Sequence, residues 1–177
     1  MSVPGITETR QYLTFRLKEE LFALDVAKVR EILEVTHITR VPQTPAYMGG
    51  IINLRGSVVS VIDLGLKLGM EATERTIDTC IIVVEVELEG EVSVLGALAD
   101  SVQEVFELDP DQIEPAPRMG TGVNADFLQG VGKQDDHFIL LLDIDKIFCM
   151  EEVEALRGRA LEAMGERSEE ESGQVRA

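Results

Sequence analysis

The sequence is poor in the residues that carry much enzyme and metal chemistry. Its 177 residues include two histidines, two cysteines and no tryptophan. Cys80 and Cys149 lie in apolar runs and form no CxxC pair, so the pattern predicts buried free thiols and excludes a disulfide framework. A metal site needs several ligands at suitable spacing, and neither His37 nor His137 has such a cluster around it. We therefore expect no metal site.

Basic residues are also scarce. The chain has 16 Lys and Arg against 33 Asp and Glu, which gives a formal net charge of −17. Binding to nucleic acid and attraction to an anionic membrane surface both require a basic patch, so this balance argues against both. A basic partner protein fits the charge better, although acidity by itself mainly favours solubility.

Long hydrophobic runs and nucleotide-binding or hydrolase motifs are absent as well. No apolar stretch approaches the roughly 20 residues that a membrane-spanning helix needs. The first five residues, Met-Ser-Val-Pro-Gly, do not resemble the basic start of a signal peptide. The sequence contains no GxxxxGK[ST], GxGxxG or GxSxG pattern. These absences predict a soluble, cytoplasmic protein without direct membrane insertion and without catalytic residues.

The sequence does contain many short β-prone segments, and 45% of its residues are hydrophobic, enough for a packed core. Strands are predicted over 11–17, 21–26, 51–54, 57–62, 80–88, 92–99, 102–106 and 138–144. Residues 26–33 fit either a further strand or a helical turn, and the pattern does not separate the two. Residues 151–164 have helical character, and the acidic tail at 165–177 is predicted to be disordered.

The rest of the chain is organised around a predicted hairpin at residues 50–64. Gly56 allows the tight reversal between its strands, because glycine accepts positive φ at no steric cost. Arg55 is the one charge in the apolar part of the hairpin and either reaches water at the tip or meets a carboxylate. Glu31 is the single acidic residue in a comparable apolar segment, and we hypothesise that it pairs with Arg55.

An internal repeat relates the two halves of the sequence. Val29-Arg-Glu-Ile-Leu33 matches Val102-Gln-Glu-Val-Phe106, and the strand ends at Asp63 and Asp143 also correspond. The repeat predicts one domain over 11–150 made of two small β-barrels, at about 11–75 and 76–150, with room for exchange of an N-terminal strand. The two aspartates are expected to cap turns. The place equivalent to Arg55 is around Lys133, and this asymmetry predicts that the barrels bind different partners.

Several motifs, found in order over about residues 11–150, resemble the CheW family of chemotaxis coupling proteins. They are Val29-x-Glu31-Ile32, Pro42-x-x-Pro45, Gly50-Ile51-Ile52-Asn53-Leu54-Arg55-Gly56, Val61-Ile62-Asp63-Leu64, Val102-x-Glu104-Val105 and Ile113-x-Pro115-Ala116-Pro117. The asparagine-leucine-arginine-glycine hairpin is specific to this family. The resemblance implies an all-β fold of two SH3-like five-stranded barrels with a short C-terminal helix, no catalysis and no cofactor.

The resemblance also implies a function: coupling of methyl-accepting chemoreceptors to the histidine kinase CheA. The receptor's helical tip would dock in the groove between the barrels, and the kinase's regulatory domain would dock end to end with them. The implied receptor- and kinase-binding residues are Val29, Glu31, Asn53, Leu54, Arg55 and Gly56. Cys80 and Val94 are predicted, on weaker grounds, to line the groove.

Three departures from the family pattern leave alternatives open. Ser60 stands where a proline is usual, Gly65 stands where an arginine often follows the Asp-Leu pair, and the acidic tail is long. They could mark a CheW-like module that serves a particular receptor array or a non-flagellar pathway. A runner-up within the family is a regulatory domain detached from a larger kinase, or a CheV-like protein that lacks its receiver. From a different class, a small β-barrel enzyme or ligand carrier stays open, and an enclosed pocket with converging polar groups would favour it.

Overall fold

The computed structural model describes residues 6–116, 125–134 and 136–176, and within them the chain is mostly β. The strands are β1 (Arg10–Leu17), β2 (Glu20–Asp25), β3 (Val29–Glu34), β4 (Met48–Leu54), β5 (Ser57–Asp63), β6 (Cys80–Leu88), β7 (Glu91–Ala99), β8 (Ser101–Leu108), β9 (Ile113–Glu114), β10 (Leu128–Gln134) and β11 (His137–Leu142). The helices are α1 (Leu64–Lys67), α2 (Ile144–Ile147) and α3 (Met150–Arg176). All the predicted strands are present, with ends shifted by a few residues.

The strands form two curled sheets, which confirms the predicted fold class. The six-stranded sheet has the order β8-β1-β2-β11-β10-β9, and the five-stranded sheet has the order β3-β6-β7-β5-β4. The internal repeat is visible in this topology, because each sheet joins two antiparallel hairpins through one parallel pair. That pair is β2 with β11 in the first sheet and β5 with β7 in the second.

The sheets do not follow the sequential halves expected from the repeat. The five-stranded sheet is one continuous stretch, β3 to β7, whereas the six-stranded sheet joins β1 and β2 to β8–β11. A boundary near residues 75 and 76 therefore divides the five-stranded sheet, and a whole N-terminal hairpin, not one strand, joins the far half. Periodicity identifies strands but not their partners, so it could not place this boundary.

The hydrophobic core consists of three clusters, one of which is shared by the two sheets. The largest contains side chains from both sheets, including Phe15 and Phe22 of one and Ile62 and Ile82 of the other. Two smaller clusters lie within the six-stranded and the five-stranded sheet, respectively. Because the main cluster is shared, the two sheets form one packed body.

Local chemistry explains several connections. Residues 26–33 contain both predicted alternatives: a 3₁₀ turn at Val26–Lys28 leads directly into β3. Asp63 caps α1 by accepting a hydrogen bond from the Leu66 amide at 3.2 Å, as expected. Asp143 occupies the equivalent position before α2 but accepts no such bond. Its backbone amide donates to the Phe127 carbonyl at 2.8 Å, as the Asp63 amide does to the Tyr47 carbonyl at 2.6 Å.

Two local predictions differ from the structure. Cys80 is half-buried and Cys149 is exposed, although both were expected to be buried. Cys149 sits just before the first turn of α3, so its apolar neighbour Phe148 turns inward while the thiol faces out. Helix α3 continues to Arg176, beyond residue 164, where the sequence pattern placed its end. The later stretch is rich in glutamate and arginine, which are good helix formers. Pro117 and Ala177 lie outside the described residues.

Candidate protein-docking site

The residues singled out in the central hairpin meet as an ion pair. Arg55 Nη1 donates to Glu31 Oε2 at 2.8 Å, and Arg55 Nη2 donates to Glu31 Oε1 at 2.9 Å. This two-point geometry is the one a guanidinium makes best with a carboxylate. The Arg55 side chain is 74% exposed and that of Glu31 is 25% exposed. The pair is therefore ordered and still accessible to another protein.

A tight turn presents Arg55 in this position. Leu54, the last residue of β4, pairs with Ser57, the first residue of β5, which leaves Arg55 and Gly56 as a two-residue loop. Both loop residues have positive φ, 51° and 88°, as a type I′ hairpin turn requires. The Asn53 side-chain oxygen accepts a hydrogen bond from the Gly56 amide at 2.8 Å and fixes the turn. Asn53 and Gly56 thus position the arginine.

The pair links the two edges of the curled five-stranded sheet. Glu31 belongs to β3 at one end of the strand order, and Arg55 follows β4 at the other. Nearby, Thr39 of the segment between β3 and β4 exchanges backbone hydrogen bonds of 2.9 and 2.8 Å with Ile51 of β4. The hydrogen bonds from Arg55 hold the pKa of Glu31 below its ordinary value, so the carboxylate stays charged at neutral pH.

An open groove of about 860 Å³ adjoins the pair. We call it the β3–β4 groove, because most of its lining comes from β3, from β4 and from the segment between them. The lining residues are Ile32, Leu33, Glu34, Thr36, His37, Thr39, Ile51, Ile52, Asn53, Leu54, Val58, Ile81 and Ala163. Ile32 is 44% exposed, which is high for a large apolar side chain next to other apolar residues. The surface combines apolar area with a few fixed charges.

The other predicted site residues are placed differently. Val29 is half-buried at the start of β3 and packs on the cluster shared by the two sheets, as does Val102 of β8. Cys80 and Val94 do not line the β3–β4 groove, and their role in the groove between the barrels stays a prediction. Val94 lines a small cavity of about 70 Å³ beneath α3, together with Ser60 and Ser93. The structure therefore brings Glu31, Arg55, Asn53 and Leu54 together and leaves Cys80 and Val94 apart.

The six-stranded sheet carries a counterpart to the ion pair. Lys133 of β10 contacts Glu114 of β9 through a single Nζ–Oε1 distance of 2.8 Å, with both side chains about half exposed. Unlike the arginine pair, which joins the two ends of its strand order, this pair joins neighbouring strands, and its ammonium makes one contact where the guanidinium makes two. The chemical difference between the two barrels expected from the sequence is visible here.

Two groove elements were missed by the sequence reasoning. Ile32 was overlooked because Val29, Glu31 and Leu33 share the other parity of β3, whereas both Ile32 and Leu33 line the groove. Ala163 of α3 was overlooked because nothing local indicates where a terminal helix packs. Among the described residues, no three His, Cys, Asp or Glu side chains converge to hold a metal ion. In the same part of the chain, no helix has the length and apolar character to cross a membrane.

A two-sheet β module that displays a fixed ion pair beside an open apolar groove belongs to the class of protein-interaction scaffolds. Comparison with known proteins identifies the family within this class. The family model described as "CheW-like domain" matches residues 11–152, and the chain belongs to this family of chemotaxis adaptor proteins.

Characterised relatives agree with this assignment. The chain is 35% identical to the chemotaxis protein CheW of Rhizobium meliloti, over 82% of this chain and 92% of that protein. It is 33% identical to the chemotaxis protein CheW of Klebsiella aerogenes, over 84% and 87% of the two chains. The crystal structure of the scaffolding protein TtCheW from Thermoanaerobacter tengcongensis superposes with a TM-score of 0.72 at 34% identity, covering 84% of this chain and 94% of that one.

Proposed function

We propose that this protein is a non-enzymatic adaptor that couples methyl-accepting chemoreceptors to the histidine kinase CheA. It works in the cytoplasm and is recruited to membrane-associated receptor arrays through its partners. Membership of the CheW-like family supports this role, as does a surface built for protein contact. Neither a cofactor nor a metal takes part in the proposed function.

The observation that carries the proposal is the Glu31–Arg55 pair at the rim of the β3–β4 groove. Arginine and exposed apolar side chains are enriched at the energetic centres of protein interfaces. A guanidinium already held by Glu31 loses little side-chain freedom when a partner binds. We assign this face to the regulatory domain of the kinase, which meets the barrel end to end.

The receptor is assigned to a different surface. Val29 and Val102 both lie at the junction of the sheets, where they pack on the shared cluster without being fully buried. Partly exposed apolar side chains at such a junction suit the apolar face of a helix. We place the helical tip of the receptor along this junction, so that one adaptor contacts receptor and kinase at once.

Reconstitution tests the proposed function. CheA autophosphorylation is measured with a receptor signalling fragment, first without this protein and then with it. We expect the kinase to be activated by receptor only when the protein is present, and we expect Arg55→Glu to abolish the effect. Arg30→Glu is the matched control, because Arg30 is the neighbouring cation on β3 and pairs instead with Glu85 at 2.8 Å.

The same assay contains the outcomes that contradict the proposal. Receptor control of the kinase that is identical with and without the protein rules out the adaptor role. If Arg30→Glu and Arg55→Glu reduce kinase activation equally, the assignment of the docking face is contradicted. Turnover of a small molecule by the purified protein would favour the enzyme alternative.

A further inference from the structure

Helix α3 extends beyond the region shared with the family and packs on the five-stranded sheet. The family match ends at residue 152, whereas α3 runs from Met150 to Arg176. Val153, Leu156 and Ala160 of this helix are each at most 3% exposed and belong to the main hydrophobic cluster. Their spacing of three and four residues places them on one helix face. The first part of α3 is therefore an integral part of the folded domain.

Polar contacts fix the helix at two further points. Glu152 Oε2 accepts hydrogen bonds from Lys67 Nζ at 2.6 Å and from the Tyr47 hydroxyl at 2.9 Å. One turn further along, Arg157 donates to the Ser93 hydroxyl at 3.1 Å. With buried apolar contacts between these two anchors, the first part of α3 is attached to the five-stranded sheet at several points.

The helix also borders the β3–β4 groove. Ala163 follows Ala160 on the same face of α3 and lines the groove together with Ile52 and Leu54. Its small side chain leaves the groove open at this point. A larger residue here would project into the space that a partner needs. The helix thus contributes a surface that the family domain alone does not provide.

The charges in the groove indicate what kind of segment would fit. Glu31 and Arg55 neutralise each other, whereas Glu34 lines the groove and no cation pairs with it among the described residues. Most other lining side chains are apolar. A segment with an apolar side chain for the groove and a basic side chain for Glu34 complements both features.

We propose that α3 forms a third wall of the kinase-docking groove, and that the kinase's regulatory domain places there an apolar segment carrying a basic residue opposite Glu34. This inference rests on the proposed adaptor function and adds to it the chemistry of the docked segment. It also assigns a binding role to a helix that lies beyond the family domain.

The test is titration calorimetry of the isolated CheA regulatory domain against the full chain and its variants. Ala163→Leu fills the groove and is expected to weaken binding about tenfold, which corresponds to about 1.4 kcal/mol. The matched control is Ala155→Leu, since Ala155 is exposed on the same helix and does not line the groove. We expect that control to bind within about twofold of the wild type, as for a surface change away from an interface.

Glu34→Gln provides a second, independent arm that does not depend on filling the groove. It is expected to weaken binding several-fold and to flatten the salt dependence of the affinity, because a charge contact across the interface is lost. Glu154→Gln, an exposed carboxylate on α3, is the control for net charge. Wild-type affinity of both Ala163→Leu and Glu34→Gln, with Arg55→Glu still disruptive, overturns the inference and leaves the adaptor function standing. Failure of the wild-type protein to bind the kinase domain overturns both.

Discussion

At the scale of single residues, the Glu31–Arg55 pair contributes through geometry more than through stability. An exposed ion pair adds little to stability, because water screens the charges and two long side chains lose freedom. The two-point contact, however, fixes the direction of the guanidinium at the rim of the groove. Mutations of the pair are therefore expected to act on partner binding while leaving folding nearly unchanged.

Charge exchange between Glu31 and Arg55 tests this expectation. Glu31→Arg and Arg55→Glu each bring like charges together and should weaken kinase binding about tenfold or more. The double variant restores opposite charges and should recover part of the lost affinity, because the two charges act on each other. The measurement is the affinity of all four proteins, with thermal unfolding as the control for folding. If the losses of binding free energy in the two single variants add up to that of the double variant, the two charges act independently.

Gly50 is a second residue whose identity the structure explains. It has φ of +142°, and a Cβ atom there would lie 2.3 Å from the Thr39 carbonyl oxygen. The close approach is required by the Thr39–Ile51 bridge, which pairs the segment before β4 with β4 itself. Any side chain at this position must break the bridge or distort the strand.

Gly50→Ala is therefore predicted to destabilise the fold by about 3–5 kcal/mol, through the combined clash and backbone strain. Gly90→Ala is the matched control: it also has positive φ, +81°, but a Cβ atom there would meet no other atom within 4 Å. Left-handed strain alone costs about 1–2 kcal/mol there. Urea unfolding of both variants measures the difference. If both variants lose the same free energy of unfolding, steric contact with Thr39 is unimportant.

The sequence was informative for some of these residues and not for others. Glu31 and Arg55 could be paired in advance, because they carry opposite charges in largely apolar segments of the same half of the chain. Ile32 and Ala163 could not be assigned to the groove. Their roles depend on how β3 curls towards β4 and on where α3 packs, and neither is encoded in local periodicity.

At the scale of elements, α3 behaves as part of the core for its first three turns. Leu156 is 2% exposed in the main cluster, whereas Leu161 of the same helix is 58% exposed. Leu156→Ala is predicted to cost about 2–5 kcal/mol, because it removes a buried side chain and leaves a cavity. Leu161→Ala should change stability by less than about 0.5 kcal/mol. Chemical denaturation measures both, and similar values would contradict the attachment of α3.

The anchor at Glu152 makes this attachment depend on pH. Burial raises the pKa of Glu152, but hydrogen bonds with the Lys67, Tyr47 and Cys149 side chains outweigh it and bring the pKa below the ordinary 4.5. Burial and the bond to Glu152 raise the pKa of Tyr47 to about 12, so its hydroxyl remains a donor at neutral pH. A carboxyl whose pKa is lower when folded stabilises the fold above its unfolded pKa, and this contribution disappears as pH falls through the folded value.

The wild type should therefore be more stable than Glu152→Gln at pH 6, and the difference should shrink once pH falls below about 4.5. Comparing the two proteins isolates this group from the other carboxylates that titrate in the same range. Unfolding midpoints in urea at several pH values provide the measurement. A difference that persists unchanged at pH 3 would show that the Glu152 charge does not hold α3.

Element predictions from the sequence succeeded where the pattern was strong and local. The run at 80–88 is β6 with the expected limits, because nine consecutive residues favour strand. The segment 26–33 was ambiguous for a physical reason, since it contains a turn and a strand in succession. The end of α3 was placed too early because charge was weighed above the helix propensity of glutamate and arginine.

At the scale of the whole molecule, the two sheets are nested. The five-stranded sheet is continuous in sequence and lies between β2 and β8, which both belong to the six-stranded sheet. The main hydrophobic cluster includes residues of both sheets, and α3 packs on the five-stranded sheet after the chain has completed the other. Folding of either sheet thus requires contacts between distant parts of the chain.

This nesting predicts how fragments behave. Cutting at the boundary suggested by the repeat, between residues 75 and 76, separates β3–β5 from β6 and β7, and β1–β2 from β8–β11. Each fragment then carries unpaired strand edges and part of a shared core, so neither 1–75 nor 76–177 should fold alone. Mixing them should restore β structure, because the missing strands are complementary. Circular dichroism and amide dispersion in NMR spectra provide the measurement, with the uncut chain as reference. A fragment 1–75 that folds cooperatively by itself would mean that the first half is a self-sufficient barrel, and the nested arrangement would be contradicted.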